Sequence, residues 1–522
     1  MLEASSATHP FSFDELSVAY RYSLLNFTLN NELLPTHPPG HSVTATPLPR
    51  IFLRLDCAYT FDHFLAALSR RSDKWDITYD DPTSCVAWID EYETLDWSSI
   101  LSPPYRIASS FCVRKGLGRK AVMATLLEAH VLRCGSLCAL SGHALPHTIV
   151  IDTFAAIHAR PKWLDFKSAL AEALSEADDA LSTGGQWILK PSMTNKGAGI
   201  ALVKNSIELR DALEEAEDAG TFVLQRYLSN PFLINPSSIG GGGGSGGGNK
   251  FHIRVYVLAI GALEVHVFKE ALVLFAPRPY SNAPTSDVAA HLTNSCLGAT
   301  AIEWNDDIHV RALSELPTLI GEDNNGLEIT RKAFEQITRI IGHTFASLEG
   351  NVAAFLPAPA CFELYGVDFL LDDVGNILLL EFNPSPDIKQ TGTRLNNVIE
   401  RMIAGLVSLV FDAPRMIQAD VKKSVAENYL RITPPSISGQ AYIPLSSSVD
   451  IMTMPRIPLC GVDSLGISLK AGQSWLPGSS GSIFNGLSKN AVKTAQENKG
   501  TGWECVYAKK SKNTENMNVN VS

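Results

Sequence analysis

The chain of 522 residues has no long hydrophobic run, since its longest apolar stretch, Met402–Phe411, covers only ten residues. A membrane-spanning helix needs about 20 apolar residues, so this stretch predicts a buried helix and no membrane partner. The first residues lack a basic segment followed by an apolar core, and we therefore expect no signal peptide. Basic residues number 43 against 54 acidic ones, which gives a net charge of −11. This deficit argues against direct nucleic-acid binding driven by overall charge.

Cysteines are few and scattered. There are nine of them, only Cys134 and Cys138 are close together, and no second pair completes a zinc site. We interpret them as reduced thiols, which is typical of a cytosolic or nuclear protein. Apolar residues make up 45% and charged residues 19%, as in an ordinary globular protein. At about 150 residues per domain, the length allows about three domains.

Hydrophobic periodicity and composition divide the chain into six predicted segments. Strands that alternate with helices predict an α/β or α+β fold with a layered core, including one strand over Leu263–Leu274. The run Gly240–Gly248 has no phosphate-binding spacing and is interpreted as an insertion in a surface turn between two strands. The last segment is rich in Ser, Gly, Asn and Pro, which predicts disorder. The segments are an N-terminal extension (1–47), an N-terminal α/β domain (48–147), a central lobe (148–235), the glycine-rich insertion (236–249), a C-terminal lobe (250–416) and a low-complexity tail (417–522).

The sharpest chemical signal is an acidic hairpin predicted within 362–384. If Val374 and Gly375 form a two-residue loop, Asp368 lies directly opposite Glu381, about 5 Å away. Asn383 is two residues beyond Glu381 and shares its face of the sheet. Opposed like charges destabilise a sheet, and two carboxylates with an amide are ligands that suit Mg²⁺. The alternative is a solvated hairpin with exposed acids, which the apolar flanking residues disfavour.

A second signal is the sequence KFHIR at residues 250–254. On a strand, Lys250, His252 and Arg254 share one face, while Phe251 and Ile253 face the core. Three cationic or polar groups in line indicate a surface for an anion. A half-exposed strand with one wet face explains the same pattern.

Two further basic segments are less specific. Lys190 ends a predicted strand, and the loop after it, with Lys196 and two glycines, is able to fold over phosphates. A plain β-hairpin fits that segment equally well. The cluster RKGLGRK at residues 114–120 opens a predicted helix, but its glycine spacing is too short for a dinucleotide fingerprint, so a solvated helix start is the simpler interpretation.

Together these segments resemble the tubulin–tyrosine ligase family of the ATP-grasp superfamily. The resemblance covers about residues 100–415 well, and it is closest to a fungal branch that includes a yeast protein associated with processing bodies. It implies an ATP-grasp fold that follows an N-terminal α/β domain, with ATP and Mg²⁺ bound between two β-rich lobes. The matching stretches are WILKPSMTNKGAGI (187–200), VLQRYLSNPFLI (223–234), KFHIRVYVL (250–258), HLTN (291–294) and ELYGVDFLLDDVGNILLLEFNPSP (363–386).

The resemblance also implies roles for individual residues. Phosphate contacts would come from Lys115, with Lys120 in reserve, and from Lys190 and the covering loop of Lys196, Gly197 and Gly199. The strand that edges the adenine would comprise Gln225, Arg226, Tyr227 and Leu228, with Lys250 and His252 close to the nucleotide. Arg254 would meet the reacting carboxylate, and Asp368, Glu381 and Asn383 would hold Mg²⁺.

Two positions depart from the family pattern. His252 stands where active members usually have Asp, and Leu274 stands where they tend to have Arg. Loss of one positioned charged contact costs about 2–4 kcal/mol of transition-state stabilisation. Three hypotheses therefore stay open: a ligase that joins a free amino acid to a protein carboxylate such as a tubulin tail, an inactive scaffold in processing bodies with mRNA-decay factors or on the cytoskeleton, and another ATP-grasp reaction on a small carboxylate. For each we expect a cytoplasmic protein.

Overall fold

The structure, a computed structural model, describes thirteen stretches of the chain. They are residues 47–102, 105–153, 166–194, 198–215, 220–237, 247–261, 263–280, 288–293, 305–321, 325–358, 360–389, 393–412 and 429–432. In these stretches we find no helix long and apolar enough to cross a membrane.

The N-terminal part forms a parallel sheet of four short strands in the order β2-β1-β3-β4. Its first helix turns Phe64, Ala67 and Leu68 toward the core, with the i, i+3, i+4 spacing of an amphipathic helix. Two helices, α3 and α4, follow the sheet. The elements are β1 (Arg50–Leu53), α1 (Ala58–Ser69), β2 (Asp76–Thr78), β3 (Ala87–Ile89), α2 (Trp97–Ile100), β4 (Ile107–Ala108), α3 (Lys115–Gly118) and α4 (Lys120–Cys134).

A second, antiparallel sheet of four strands has the order β5-β8-β6-β7. Its apolar side packs on two helices, where Leu174, Ala177 and Leu209 meet strand residues such as Trp187. The elements are β5 (Thr148–Asp152), α5 (Phe166–Ser182), β6 (Trp187–Pro191), β7 (Ala201–Val203), α6 (Ser206–Glu215) and β8 (Thr221–Arg226).

The third sheet is the largest, with seven strands, and its centre is the twelve-residue strand β9. One edge of β9 pairs with β10 and β11, and the other pairs with β13, which carries β14. The elements are β9 (Asn249–Ile260), β10 (Glu264–Phe268), β11 (Leu272–Pro279), α7 (Val288–His291), α8 (Asp306–His309), β12 (Val310–Ala312), α9 (Leu316–Ile320), α10 (Gly326–Ser347), β13 (Phe362–Leu371), β14 (Ile377–Pro384), α11 (Asn396–Phe411) and β15 (Tyr429–Ile432).

Apolar cores cover both faces of the large sheet. On one face, Ile253 and Val255 of β9 lie among residues of α10 and α4, such as Ile341. On the other face, Tyr256 and Leu258 lie among residues of α11, α1 and the parallel sheet. The parallel sheet and the large sheet are also joined by a backbone hydrogen bond, since the Ala108 N–H at the end of β4 donates to the Ala360 carbonyl before β13 (3.0 Å). The predicted domain boundaries stay predictions.

The single strand predicted over Leu263–Leu274 is wrong. The structure has two strands, β10 and β11, which pair with successive parts of β9 and are interrupted at residues 269–271. The interruption contains Glu270, which forms an ion pair with Arg401 of α11 (2.5 Å). Between the pairs Val267–Val257 and Leu272–Arg254, four residues stand opposite only two of β9, and the two extra residues interrupt the ladder.

The glycine-rich insertion has joined ends. Ile234 and Asn249 form an isolated bridge, with backbone N–H to carbonyl distances of 3.2 and 2.8 Å. Such closure fits an insertion between two strands that follow each other in the chain, β8 and β9. Residues 238–246 lie outside the described stretches. In the tail, Tyr429–Ile432 pairs with β10, so the predicted disorder does not extend to this strand. The rest of the tail and residues 1–46 lie outside the described residues.

Candidate active site

The two faces of β9 differ in chemistry, as the alternation of its residues predicts. Its apolar face carries Phe251, Ile253, Val255 and Val257, all in the core beneath α10. Its polar face carries Lys250, His252 and Arg254. Lys250 and His252 are only 4% and 3% exposed, so the alternative of a wet, half-exposed strand is excluded.

The hairpin of β13 and β14 places Asp368 directly opposite Glu381, as predicted. The predicted two-residue loop, however, is wrong. The loop has three residues, Asp373–Gly375, because the Asp372 N–H donates to the Asn376 carbonyl (3.0 Å). Gly375 adopts a positive φ of 93°, a conformation that glycine tolerates better than other residues.

The expected register is nevertheless restored further along the hairpin. Next to the turn, Phe369 pairs with Leu379, one residue out of the predicted register. An irregularity between Asp368 and Phe369 then leaves one extra residue in β14, as in a β-bulge. The longer loop and the bulge offset each other, and the two carboxylates face each other for a different reason than predicted.

The charge of the acidic pair is compensated from β9. Arg254 pairs with Asp368 across the sheet and donates from Nε to Oδ1 and from Nη2 to Oδ2 (2.8 Å for the latter). Although burial favours the neutral acid, Arg254 holds the pKa of Asp368 below its usual value. Asn383 Nδ2 lies 3.2 Å from both Asp368 Oδ2 and Glu381 Oε1. The three predicted metal ligands therefore converge on one face.

Lys120, the predicted reserve phosphate contact, reaches this acidic pair. Its Nζ lies 3.3 Å from Glu381 Oε2 and donates to the Thr194 carbonyl (2.8 Å). Lys120 is the first residue of α4, whose first N–H groups need partners from outside the helix. Ser192, just after β6, provides them, since its carbonyl and Oγ accept from the N–H groups of Lys120 and Ala121 (3.2 and 3.1 Å). The start of α4 is thus joined to the loop that follows Lys190.

Lys190 is buried at the end of β6, where its Nζ donates to Gln225 Oε1 of β8 (2.8 Å). Burial lowers the pKa of Lys190 to about 8, with Glu381 opposing that shift and Lys120 adding to it. An anionic ligand beside this lysine would favour its charged form.

Lys250 connects the two antiparallel sheets through Tyr227. The Lys250 Nζ donates to the Tyr227 hydroxyl (2.9 Å) and lies 4.2 Å from the centre of the Tyr227 ring. That hydroxyl also lies 2.8 Å from His291 Nδ1. Burial, followed by the charge of Lys190, lowers the pKa of Lys250 to about 7.

His252 is held on the polar face by Thr293, whose Oγ1 lies 2.6 Å from His252 Nδ1. The other ring nitrogen, Nε2, lies 3.6 Å from Asp368 Oδ1 and has no hydrogen-bond partner among the described residues. Burial lowers the pKa of His252 to about 4, although Asp368 acts in the opposite direction. The imidazole is therefore neutral at neutral pH. Thr293 lies in the HLTN stretch, which the sequence singled out without giving this residue a role.

The remaining predicted residues are only partly brought together. Lys115 begins α3, whose Gly118 faces Pro384 at the end of β14. Gly199 has a φ of 69°, which supports a tight turn after the covering loop. Arg226 lies on the other face of β8, exposed over Trp187, and donates to the Gly184 carbonyl (2.5 Å). It does not join the site.

Leu228 is half-buried just after β8, and Lys196 and Gly197 lie outside the described residues. At the position where the family tends to have Arg, Leu274 pairs with His252 and is buried in the apolar core next to α11. Strand β11 continues to Pro279, and Arg278 is exposed on it.

The donor set fits a hard divalent cation. Two carboxylates supply oxygen ligands on one face, and the Asn383 amide would add its oxygen in place of the Nδ2 that faces them. Mg²⁺ prefers a few such ligands together with phosphates and water. Arg254 keeps Asp368 ionised, which a metal ligand requires. The nearby lysines, Lys120 and Lys190, provide positive charge for the phosphates that would accompany the ion.

Comparison with known proteins agrees with this geometry. The model of the "Tubulin-tyrosine ligase family" matches residues 150–419, which include three strands of the small sheet, most of β5 and both strands of the acidic hairpin. The chain belongs to the tubulin–tyrosine ligase family. The matched residues make up half of the chain and include every residue of the acidic site except Lys120.

Two fungal members of the family are similar over much of the chain. A probable tubulin–tyrosine ligase of Schizosaccharomyces pombe is 26% identical over 415 residues, which cover 72% of this chain and 96% of that protein. The probable tubulin–tyrosine ligase PBY1 of Saccharomyces cerevisiae is 30% identical over 359 residues. These cover 60% of this chain but only 44% of PBY1.

The fold is that of an ATP-grasp enzyme. The C-terminal domain of K. lactis Pby1, an ATP-grasp enzyme that interacts with the mRNA decapping enzyme Dcp2, aligns with a TM-score of 0.52 and 22% identity. The alignment covers 77% of this chain and 99% of that domain. Family and fold together place the chain in the ligase class.

Proposed function

We propose that the chain is an ATP-dependent carboxylate–amine ligase that joins a free amino acid to a protein carboxylate, with a tubulin tail as the first acceptor to test. The observation that carries this proposal is the convergence of Asp368, Glu381 and Asn383 between the cations Arg254 and Lys120. In this proposal, the nucleotide lies between the predicted central lobe (148–235) and C-terminal lobe (250–416), in the cytoplasm.

Mg²⁺ would be held by Asp368, Glu381 and Asn383 and would neutralise phosphate charge there. Lys120 and Lys190 approach the acids and would contact the phosphates, with Lys115 and the loop of Lys196, Gly197 and Gly199 around them. Gln225, Tyr227, Leu228 and Lys250 would surround the base, while the orientation of Arg226 gives it no direct contact. Arg254, with His252 beside it, would face the reacting carboxylate.

The reaction first brings together two anions, the acceptor carboxylate and ATP, and the amine of the amino acid reacts afterwards. A carboxylate oxygen of the acceptor attacks the γ-phosphorus of ATP, the bond to ADP breaks, and an acyl phosphate forms. The amino group of the amino acid then attacks the acyl carbon, phosphate leaves, and an amide remains after loss of a proton. Positioned cations lower the barrier of the first step by compensating developing negative charge. No covalent protein nucleophile is required.

Calorimetric titration of the full chain with ATP, with and without Mg²⁺, tests the site. We expect Mg²⁺-dependent binding that the double variant Asp368→Asn/Glu381→Gln loses. Asp373→Asn is the matched control, because this exposed acid lies in the loop of the same hairpin, outside the site. Binding that survives in the double variant, or that is absent from the folded parent, contradicts the proposal.

A second candidate is a ligase-like scaffold that works with mRNA-decay factors in processing bodies. It is favoured by the buried, neutral His252 and by Leu274, which leaves the polar face without the family's extra acid and cation. The Dcp2 interaction of the K. lactis domain supports the same direction. ATP-dependent incorporation of labelled amino acids into protein separates the two candidates: incorporation that Glu381→Gln abolishes supports the ligase, and none with any amino acid supports the scaffold.

A further inference from the structure

Four metal-ligating side chains meet at the end of α4 that is remote from Lys120. His130 and Cys134 are four residues apart on α4 and therefore share a face of the helix. Cys138 follows a short 3₁₀ turn, Gly135–Leu137, and His343 comes from α10. The sequence showed only the cysteine pair, and the fold adds two histidines to it.

Three of the separations between ligand atoms are close to those of a tetrahedral site, and Cys134 approaches the group through His130. His130 Nε2 is 3.1 Å from His343 Nδ1, Cys134 Sγ is 3.6 Å from His130 Nε2, and Cys138 Sγ is 3.5 Å from His343 Nδ1. Tetrahedral Zn²⁺, with about 2.0–2.1 Å to nitrogen and about 2.3 Å to sulfur, requires about 3.3 Å between two nitrogens and about 3.6 Å between nitrogen and sulfur. The ligand atoms of His130, Cys138 and His343 all lie within 4.8 Å of one another.

The surroundings also suit a closed structural site. His130 is completely buried and Cys138 is 4% exposed, while Cys134 and His343 are half-buried. Two thiolates and two imidazoles in tetrahedral arrangement select Zn²⁺ over hard cations such as Mg²⁺. Where thiols stay reduced, two cysteines this close to two histidines favour a metal site over a disulfide.

We propose that His130, Cys134, Cys138 and His343 bind one structural Zn²⁺ that ties the end of α4 to α10. The site is about 21 Å from Lys120 along the helix, since α4 rises about 1.5 Å per residue. It is thus separate from the candidate Mg²⁺ site and does not depend on ATP binding.

The position gives the metal a structural consequence. Helix α4 carries Lys120 at its first turn, and α10 supports the acidic hairpin, because Gln336 donates to the Gly375 carbonyl (2.9 Å) and accepts from the Ile377 N–H (3.2 Å). A metal that joins these helices would hold the Lys120 helix against the helix that supports the hairpin.

Elemental analysis of the full chain, purified without chelator, tests the site. We expect about one Zn²⁺ per chain, and less than about a tenth of that in Cys134→Ser/Cys138→Ser. Cys85→Ser is the matched control, because Cys85 is as buried as Cys138 but lies just before β3, outside the cluster. Zn²⁺ content that is equal in the cluster variant and in the control overturns the proposal.

Cobalt substitution keeps the test independent of how the variants fold. After removal of Zn²⁺ and addition of one equivalent of Co²⁺ to the parent chain, we expect intense visible absorption and thiolate-to-cobalt charge transfer, as tetrahedral thiolate coordination produces. His343→Asn, which keeps both cysteines, should weaken Co²⁺ and Zn²⁺ binding at least tenfold. A parent chain that binds neither metal, or a mass loss showing that Cys134 and Cys138 have formed a disulfide in place of a metal site, overturns the proposal.

Discussion

The two faces of β9 are both buried, but they are stabilised by different means. On the apolar face, Ile253 and its neighbours need only matching shapes from α10 and α4. On the polar face each group needs a specific partner: Asp368 for Arg254, Tyr227 for Lys250 and Thr293 for His252. Burial of a charge is unfavourable unless it is paired, so the polar face is the costly one to maintain and the one suited to bind an anion.

Loss of Arg254 should have the largest effect on stability. In Arg254→Met, the Asp368 carboxylate stays buried without its bidentate partner, and we expect the free energy of unfolding to fall by about 3–5 kcal/mol. Urea denaturation at pH 7 measures this change. The double variant Arg254→Met/Asp368→Asn should regain part of the loss, because neither charge then remains. A loss below about 1 kcal/mol in the single variant would show that the pair does not hold the polar face together.

The second prediction concerns the pH dependence of stability. The unfolded chain protonates His252 near pH 6.5, but the folded chain does so only near pH 4, so the unfolded state binds more protons between these values. Stability should therefore fall as the pH falls from 6.5 to 4, by about 3 kcal/mol from this residue. Urea denaturation across this range measures the stability of the parent and of His252→Gln, and the difference between their pH dependences gives the contribution of His252. Parallel stability curves for the two proteins would contradict the prediction.

The third prediction concerns ATP affinity above neutral pH. Lys250 loses its proton near pH 7 in the free protein, and anionic ATP favours the protonated form. We expect the affinity to fall by up to about tenfold per pH unit between pH 7 and 9. Calorimetry in buffers of different ionisation enthalpy should show proton uptake. Lys250→Met should have a shallower dependence, since of the two buried lysines that the structure describes, Lys190 and Lys250, Lys190 alone is then left to titrate. An unchanged slope would assign the effect to another group.

The smallest effect belongs to the apolar face. Ile253→Val removes one methylene group from a fully buried site, and we expect a loss of about 0.5–1.5 kcal/mol in the free energy of unfolding. ATP affinity and its pH dependence should not change, because Ile253 points away from the polar residues. Urea denaturation and ATP titration of this variant check both statements. Altered ATP binding would show that the two faces are not independent.

Much of the site could be predicted because its geometry is local. Asp368 and Glu381 are thirteen residues apart in one hairpin, and alternation along a strand determines which side chains share a face. The loop length was predicted wrongly, because the Asp372 carboxylate accepts two backbone N–H groups and stabilises a three-residue turn. The bulge in β14 then restored the pairing.

Groups brought together from distant parts of the chain could not be predicted in the same way. Lys120 is predicted from the sequence only as a reserve phosphate contact. The contact of α4 with the loop after β6 brings it beside Glu381. His130 and His343 are 213 residues apart, and no spacing rule relates them. The burial of His252 was also missed, because a strand pattern does not show which elements cover a polar face.

Three features follow from the amino-acid sequence alone: the family, the acidic hairpin and the division of β9 into an apolar and a polar face. These follow from interactions between near neighbours in the chain, which repeat with the period of a strand. Packing in three dimensions brings Lys120 to Glu381, turns Arg226 away from the site and places two histidines beside Cys134 and Cys138. The physical reason is that helix packing sets the distances between residues far apart in the chain, and those distances have no counterpart in local periodicity.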